Sequence, residues 1–320
     1  MCADAMGPTD APRRFAAIDV GSNSVKMIVV EVANGQASLI AVRGAITRLG
    51  EGMEAQAHRL REIPMRRTIE ALTEFIEVAN EHGVEQVAAV GTAALREAEN
   101  REEFLRRVRE ACTLDVAVIP GEEEARLSYL AVRRDLQWNG REKLIVIDIG
   151  GGSTEVIFGS AEDDAITARV SINLGAVRLT ETLLKSDPPT IAQLAEANRV
   201  VAEAFATAQL PEWREASHTR VVGVGGTLTN LGSMYLQAHG GGMPLHGAAL
   251  NADHLEMQMA LLASRTVEER KQIPGLDPRR ADIILGGAIL LTQALAFLGS
   301  VTVDVSTRGL RWGLIYDRFL

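Results

Sequence analysis

Leu144 to Phe158 reads LIVIDIGGGSTEVIF, and this stretch decides how the rest of the chain is understood. Leu144 to Ile147 and Ile149 form a short, β-branched apolar run ended by glycine, which predicts a buried strand. Asp148 interrupts the run. Burying a lone carboxylate is costly, so this acid must emerge at an edge or meet a cation. Gly150, Gly151 and Gly152 then free backbone N–H groups to converge on an anion with no side chain in the way. Ser153 and Thr154 add hydroxyl donors, and Glu155 follows. The group that fits such a bend is a phosphate with its metal ion.

One Gly-rich turn is weak evidence by itself. A second copy lies upstream: Phe15 to Val30 reads FAAIDVGSNSVKMIVV, an apolar strand, Asp19, the turn Gly21-Ser22-Asn23-Ser24, and another apolar strand. Both acids sit in the pattern Ile-Asp-(Val or Ile)-Gly-x-x-Ser. A matched pair implies a duplicated domain with the ligand held between the copies.

At 320 residues the chain suits two domains, each with its own core. A hydrophobic content of 47% against 23% charged describes a globular protein and not a disordered one. The net charge of −9 argues against a general nucleic-acid or anionic-membrane binder. An anionic substrate stays open, because a basic cleft or a metal reverses the field locally. Cys2 and Cys112 provide neither a disulfide framework nor zinc-ligand spacing, as expected of a cytoplasmic protein. Residues 1–13 read as a frayed tail and not a signal peptide. Ile283 to Leu298 is the longest apolar stretch, interrupted by Gly286, Gly287, Thr292 and Gln293. It falls short of the ~20 residues a bilayer span needs and reads as a buried helix.

In chain order, Asn34-Gly35 marks a tight hairpin between Val25–Val32 and Ser38–Val42, so the first copy opens with three antiparallel strands. Residues 44–63 read as a loop. Pro64 opens a helix with Ile69, Leu72, Ile76 and Ala79 on its inner face, ended by Gly83. Gln86–Val90 is a fourth strand, running into Gly91-Thr92-Ala93-Ala94-Leu95-Arg96. Asn100 with Glu103 has the capping-box spacing for the next helix. Asp115–Ile119 is a fifth strand, stopped by Pro120-Gly121 before a helix that starts at Glu122.

The second copy repeats the order. Strands are expected at 144–149, 154–159 and 165–172, and helices at about 176–185 and 190–208. Thr219–Val224 is its fourth strand, running into Gly225-Gly226-Thr227 and a helix to about Gln237. Gly240–Gly242 reads as a mobile loop, residues 252–298 as an inserted helical segment, Val301–Val305 as the fifth strand and 308–319 as a last helix. Both halves are βββαβαβα, and their Gly-rich turns should share one interdomain cleft.

The strand–Asp–phosphate turn, present twice, resembles the actin, Hsp70 and sugar-kinase superfamily. More specific motifs resemble the exopolyphosphatase and guanosine pentaphosphate phosphatase family. They are AIDVGSNS from Ala17 to Ser24, GEEEARL from Gly121 to Leu127, Asp148 to Glu155, and STRGLRWG from Ser306 to Gly313, with a weaker match at Thr92 to Arg96, Ala98 and Asn100. The likeness covers about residues 14–318. It implies an α/β fold of two duplicated ribonuclease H-like (actin-like ATPase) domains, residues 14–123 and 124–307, with the helix 308–320 packing back on the first. Lys26 and the GVGGT form of the third Gly-rich turn read as variants that leave the chemistry unchanged.

The resemblance also assigns roles. Glu124, directly before Ala-Arg-Leu, matches the base that activates water; a helix N-terminus favours its ionised form. Glu122 and Glu123 are its dipole partners, with Glu123 the fallback. Asp148 and Glu155 are expected to hold Mg²⁺, directly or through water, and Asp19 to mirror them. Gly21, Ser22, Asn23, Ser24, Gly150, Gly151, Gly152, Ser153 and Thr154 would cradle phosphates. Arg96 would clamp a phosphate oxygen through its planar fork. Gly225, Gly226 and Thr227 should line the cleft, and Arg308 and Arg311 are candidate chain-binding cations. The expected substrate is inorganic polyphosphate, cut at its terminal phosphate, or guanosine pentaphosphate, and a homodimer is implied.

Other signals fail. His239-Gly240-Gly241-Gly242 lacks the GxSxG elbow a lipase needs, and no GxxxxGK[ST] loop exists. The six histidines show no metal spacing. Rival readings are an ATP-using sugar or acetate-type kinase, an Hsp70-like ATPase, and a phosphate-responsive binding protein.

Overall fold

The structure, a computed structural model, describes residues 11–53, 58–135, 143–160, 165–208 and 219–320. The expected tail up to residue 10, with Cys2, and part of the 44–63 loop lie outside these residues.

The first half runs β1 (Arg13–Val20), β2 (Ser24–Ala33), β3 (Gln36–Ile46), α1 (Glu62–Glu81), β4 (Gln86–Gly91), α2 (Ala93–Glu97), α3 (Arg101–Cys112), β5 (Val116–Val118) and α4 (Gly121–Asp135). Its sheet has the order β3-β2-β1-β4-β5. β1 to β3 are antiparallel, while β4 joins β1 in parallel and β5 joins β4 in parallel. The β2–β3 hairpin turns at Asn34 and Gly35, whose φ values of 51° and 70° are those the sequence demanded. β3 reaches Ile46, so the 44–63 segment begins as strand.

The second half repeats this with β6 (Lys143–Ile149), β7 (Thr154–Ser160), β8 (Ile166–Ile172), α5 (Ala176–Leu183), α6 (Ile191–Thr207), β9 (Thr219–Val224) and α7 (Gly225–Ala238). Then come β10 (Ala249–Asn251), α8 (Ala252–Ala263), α9 (Val267–Arg270), α10 (Ile284–Leu298), β11 (Thr302–Val305) and α11 (Leu310–Phe319). The sheet order β10-β11-β9-β6-β7-β8 mirrors the first, with β10 added at one edge.

One local expectation fails. Asn100 sits at the N-cap of α3 but makes no cap bond. Its side chain instead accepts from Leu60 N at 2.8 Å and donates to Leu60 O at 3.1 Å, tying the approach to α1 onto α3. A long-range pair of bonds outcompeted the local cap.

Helix α4 lies between the sheets. Its Leu127, Leu130 and Ala131 join Phe15, Ala17 and Val30 of the first sheet and Trp312, Leu314 and Ile315 of α11. Its Ala125, Tyr129 and Val132 face Leu144, Val146, Ile157 and Val222 of the second sheet. The 3.6-residue period thus supplies two apolar faces on one helix. The end of α11 closes over the first sheet, where Phe319 stacks on Phe15 with centroids 4.3 Å apart. Among the described residues no helix is long and apolar enough to cross a membrane.

Candidate active site

The two Asp-glycine bends face one cleft of about 320 Å³, lined by both Asp19 and Asp148. Their backbones match: Gly21 N donates to Ser24 O at 3.1 Å, and Gly150 N donates to Ser153 O at 3.0 Å. Each bend is braced from behind. Gly50 N donates to Ser22 O at 2.9 Å, and Ala176 N and Val177 N donate to Gly150 O and Gly151 O at 2.9 and 3.0 Å. The second brace requires Gly175, where a Cβ would lie 2.3 Å from the Gly151 carbonyl carbon.

Of the residues singled out from sequence, Asp19, Gly21, Ser22, Asn23, Ser24, Glu124, Asp148, Gly150, Gly151, Gly152, Ser153, Gly225, Gly226, Thr227 and Arg311 line the cleft. Others stand back from it. Thr154 is fully buried and its hydroxyl donates to Leu174 O at 2.7 Å, so that hydroxyl is committed to the fold. Arg96 bonds Ile119 O at 3.0 Å and Glu124 Oε2 at 3.1 Å, holding the glutamate. Arg308 pairs with Asp135 at 2.7 Å and lies over the Trp312 ring, which anchors the STRGLRWG segment.

Register explains the acid cluster. Asp148 and Glu155 are directly opposed across β6 and β7, hence on one face of the sheet. Glu155 is 2% exposed and accepts from Ser171 Oγ at 3.1 Å. Asp148 Oδ2 accepts from Ser128 Oγ at 2.7 Å. Ser128 is one helical turn beyond Glu124 on α4, so the same helix face brings Glu124 toward Asp148.

Burial, then the charges of Glu155 and Asp148, push the Glu124 carboxyl well above the usual range despite Arg96. The helix N-terminus expected to keep it ionised is outweighed. Burial and Asp148 likewise raise Glu155. Burial also raises Asp19 and Asp148.

Two cations were missed from sequence. Lys26 lines the cleft and opposes Asp19 across β1 and β2, the register position that Glu155 holds in the second copy. Burial, with Arg280 and Arg311 nearby, lowers its ammonium to about 8. Superposing the two copies of the motif would have found it. Arg280 comes from the inserted segment, lines the cleft, and reaches Ser24 Oγ at 3.4 Å. It covers Gly226, where a Cβ would sit 2.4 Å from the guanidinium carbon. Arg311, half-buried, donates to Met27 O at 3.3 Å.

The donor set suits a hard divalent cation. Asp19 Oδ1 is buried without a hydrogen-bond partner, and the carboxylates around it repel one another. Among the described residues no three acidic, imidazole or thiol side chains converge to enclose an ion. Mg²⁺ needs no such cage, because it keeps waters and takes one or two carboxylates with substrate oxygens.

The profile of the Ppx/GppA phosphatase family matches residues 28–320. The chain belongs to that family. It is 34% identical over 296 residues to exopolyphosphatase 2 of Mycobacterium tuberculosis, covering 88% of this chain and 89% of that protein. The Ppx/GppA family member of Aquifex aeolicus superposes with a TM-score of 0.77 at 32% identity, covering 96% and 97% of the two chains. An exopolyphosphatase from Cytophaga hutchinsonii superposes with a TM-score of 0.85 at 26% identity, covering 95% and 97%. As a Ppx/GppA protein the chain is a phosphoanhydride hydrolase with a two-domain, actin-like α/β fold.

Proposed function

We propose that this enzyme is a Mg²⁺-dependent exopolyphosphatase that releases orthophosphate from the end of linear inorganic polyphosphate. The observation that carries the reading is the cleft lining. It joins two phosphate-type bends, the open N-terminus of α7 and three cations, and no aromatic side chain to stack a base occurs among its described residues. Lys26, Arg280 and Arg311 would hold phosphoryl oxygens, with the N–H groups of Gly150 to Ser153 and of Ser22 to Ser24 completing the grip.

Glu124, ionised and fixed by Arg96, would take the proton from a water as the oxygen of that water bonds the terminal phosphorus. The P–O bond to the rest of the chain breaks in line, leaving orthophosphate and a chain one unit shorter. Asp148 and Glu155, with Asp19 across the cleft, would hold Mg²⁺ directly or through water. When bound, the ion offsets charge on the phosphoryl oxygens. Residues 14–123 and 124–307 act in this reading as the two lobes of the grip.

The test is phosphate release from polyphosphate of defined length, with Mg²⁺ and after chelation, beside guanosine pentaphosphate. Release from polyphosphate that stops on chelation is expected. Faster release from the nucleotide would overturn the substrate assignment, and release from neither would overturn the hydrolase reading.

A further inference from the structure

The loop that joins α7 to β10 carries a histidine that the proposed chemistry does not use. His246 stands just before Gly247, whose φ of 85° lies in the left-handed region that favours glycine. Gly247 N donates to Val305 O at 2.8 Å, and Val305 N donates to Ala248 O at 2.8 Å, so this bend is laced to the end of β11. The residues that follow connect β11 to α11, and Ser306, Thr307, Gly309, Leu310 and Arg311 line the cleft. His246 therefore stands behind one wall of the cleft.

That wall is held in two ways. Ser306 Oγ accepts from Arg308 N and donates to Arg308 O, each at 3.0 Å, which closes a small turn upon itself. Thr307, between them, has its N–H tied to the histidine instead, donating to His246 Nδ1 at 3.3 Å. A backbone N–H can only donate, so Nδ1 is the bare nitrogen of a neutral ring. The proton is then on Nε2, which lies 3.0 Å from Asp135 Oδ2. The Asp135 side chain, at the end of α4, is only 6% exposed, and Arg308 meets its other oxygen at 2.7 Å. Oδ2 has no hydrogen bond elsewhere among the described residues. The carboxylate thus selects the tautomer at one nitrogen and leaves the other to accept from Thr307.

We propose that His246 is a positioning residue for the phosphate chain: as the Nε2–H tautomer it holds Thr307 and so sets where the β11–α11 wall stands. Arg311 enters the cleft from the first turn of α11, just beyond this wall, and the unpaired N-terminal amides of that helix move with it. Glu124 lies about three turns from Asp135, near the start of α4, and the two bends follow β1 and β6. Loss of the histidine contact therefore weakens the hold on substrate and spares the chemical step. The effect on substrate rests on the phosphate reading of the cleft; the tautomer does not.

Substitutions can separate the two ring nitrogens. His246→Asn keeps an acceptor near the place of Nδ1, His246→Gln keeps a donor near the place of Nε2, and His246→Leu keeps neither. In His246→Leu, KM for polyphosphate should rise about three- to tenfold, the worth of one hydrogen bond, with kcat little changed. His246→Asn should bring KM back toward that of the unsubstituted chain, and His246→Gln should not. This Asn–Gln comparison decides the role even where His246→Leu does not fold. Rescue by Gln and not by Asn assigns the histidine to Asp135 alone and overturns the role. So does an unchanged KM in His246→Leu, or a fall in kcat at constant KM. Long-range ¹⁵N correlation spectra of the unsubstituted chain read the tautomer without any assay, the His246 signals being those absent from His246→Asn. A neutral ring protonated at Nε2 is expected, and protonation at Nδ1 or at both nitrogens overturns the contact. If the unsubstituted chain does not hydrolyse polyphosphate, the reading of the cleft falls and the role with it, while the spectrum still decides the contact.

Discussion

Glu124 and Lys26 are held at opposite displacements from their ordinary titration, and in the proposed mechanism the two together would set the pH window of the reaction. Burial and the neighbouring acids raise Glu124, so it gains the charge a base needs only as pH climbs toward neutrality and beyond. Lys26 is lowered to about 8, so the cation that would grip phosphate is lost above that pH. With Glu124 raised to about 8 and Lys26 lowered to about 8, the expected kcat/KM profile on polyphosphate is a narrow bell centred near pH 8. Lys26→Arg keeps its charge across this range and should flatten the alkaline side, which a pH-rate series on the two proteins would show. An unchanged alkaline limb in the variant would assign that limb to another group. Glu124→Gln should lower kcat by about 10²–10⁴-fold, the usual worth of a positioned base. Tripolyphosphate affinity, read by calorimetry, should persist in that variant, because the bends and cations remain. At this scale the sequence was legible where chemistry repeats. Asp19 and Asp148 announce themselves through the duplicated bend. Lys26 carries no local signal beyond its register with Asp19, and Arg280 belongs to an insertion with no counterpart in the first half, so only tertiary contact places it.

Elements meet through glycines chosen for backbone approach rather than for turns. Gly313 on α11 faces α4 so closely that a Cβ would lie 1.8 Å from Leu127 O. Gly313→Ala must separate the two helices. It should cost about 1–3 kcal/mol or more, as overpacking does, and denaturant unfolding would measure it. Gly175→Ala meets the Gly151 backbone instead, so its damage should fall on the phosphate bend. The expected result is a rise in KM for polyphosphate larger than the loss of stability would explain. If both variants lose stability equally and neither changes KM, the bracing of the bend by α5 is wrong. Strands and most helices were readable because period and punctuation agree, as at Asn34-Gly35 and along the inner face of α1 from Ile69 to Ala79. Gly175 and Gly313 were not, since a glycine needed for close approach leaves the same letter in the sequence as one in any loop. Asn100 failed for a related reason: its cap spacing is local, whereas its bonds to Leu60 are not.

Across the whole molecule, the two sheets are joined around the cleft by side-chain pairs from opposite halves. Arg178 of α5 meets Glu97 at the end of α2 at 2.5 Å, and Arg48 meets Asp282 at 2.7 Å. Arg169 of β8 also pairs with Glu122 at the start of α4. None of these side chains belongs to the apolar core of either half, so their removal is expected to act on the distance between the walls of the cleft. The Arg48–Asp282 pair is about a third exposed on each side, so it should contribute roughly 0–1 kcal/mol and weaken with salt. Arg178 and Glu97 are more enclosed, so removing one partner leaves the other poorly solvated. Arg178→Met should therefore raise KM for long polyphosphate several-fold and enlarge the radius of gyration in small-angle scattering. The loss of thermal stability should be smaller than that of Gly313→Ala. Pairing it with Glu97→Gln should recover part of the lost affinity, because the stranded carboxylate is then gone, and a double-mutant cycle gives the coupling directly. If the single variant leaves both KM and scattering unchanged, these pairs decorate the rim and the grip on substrate comes from the bends alone.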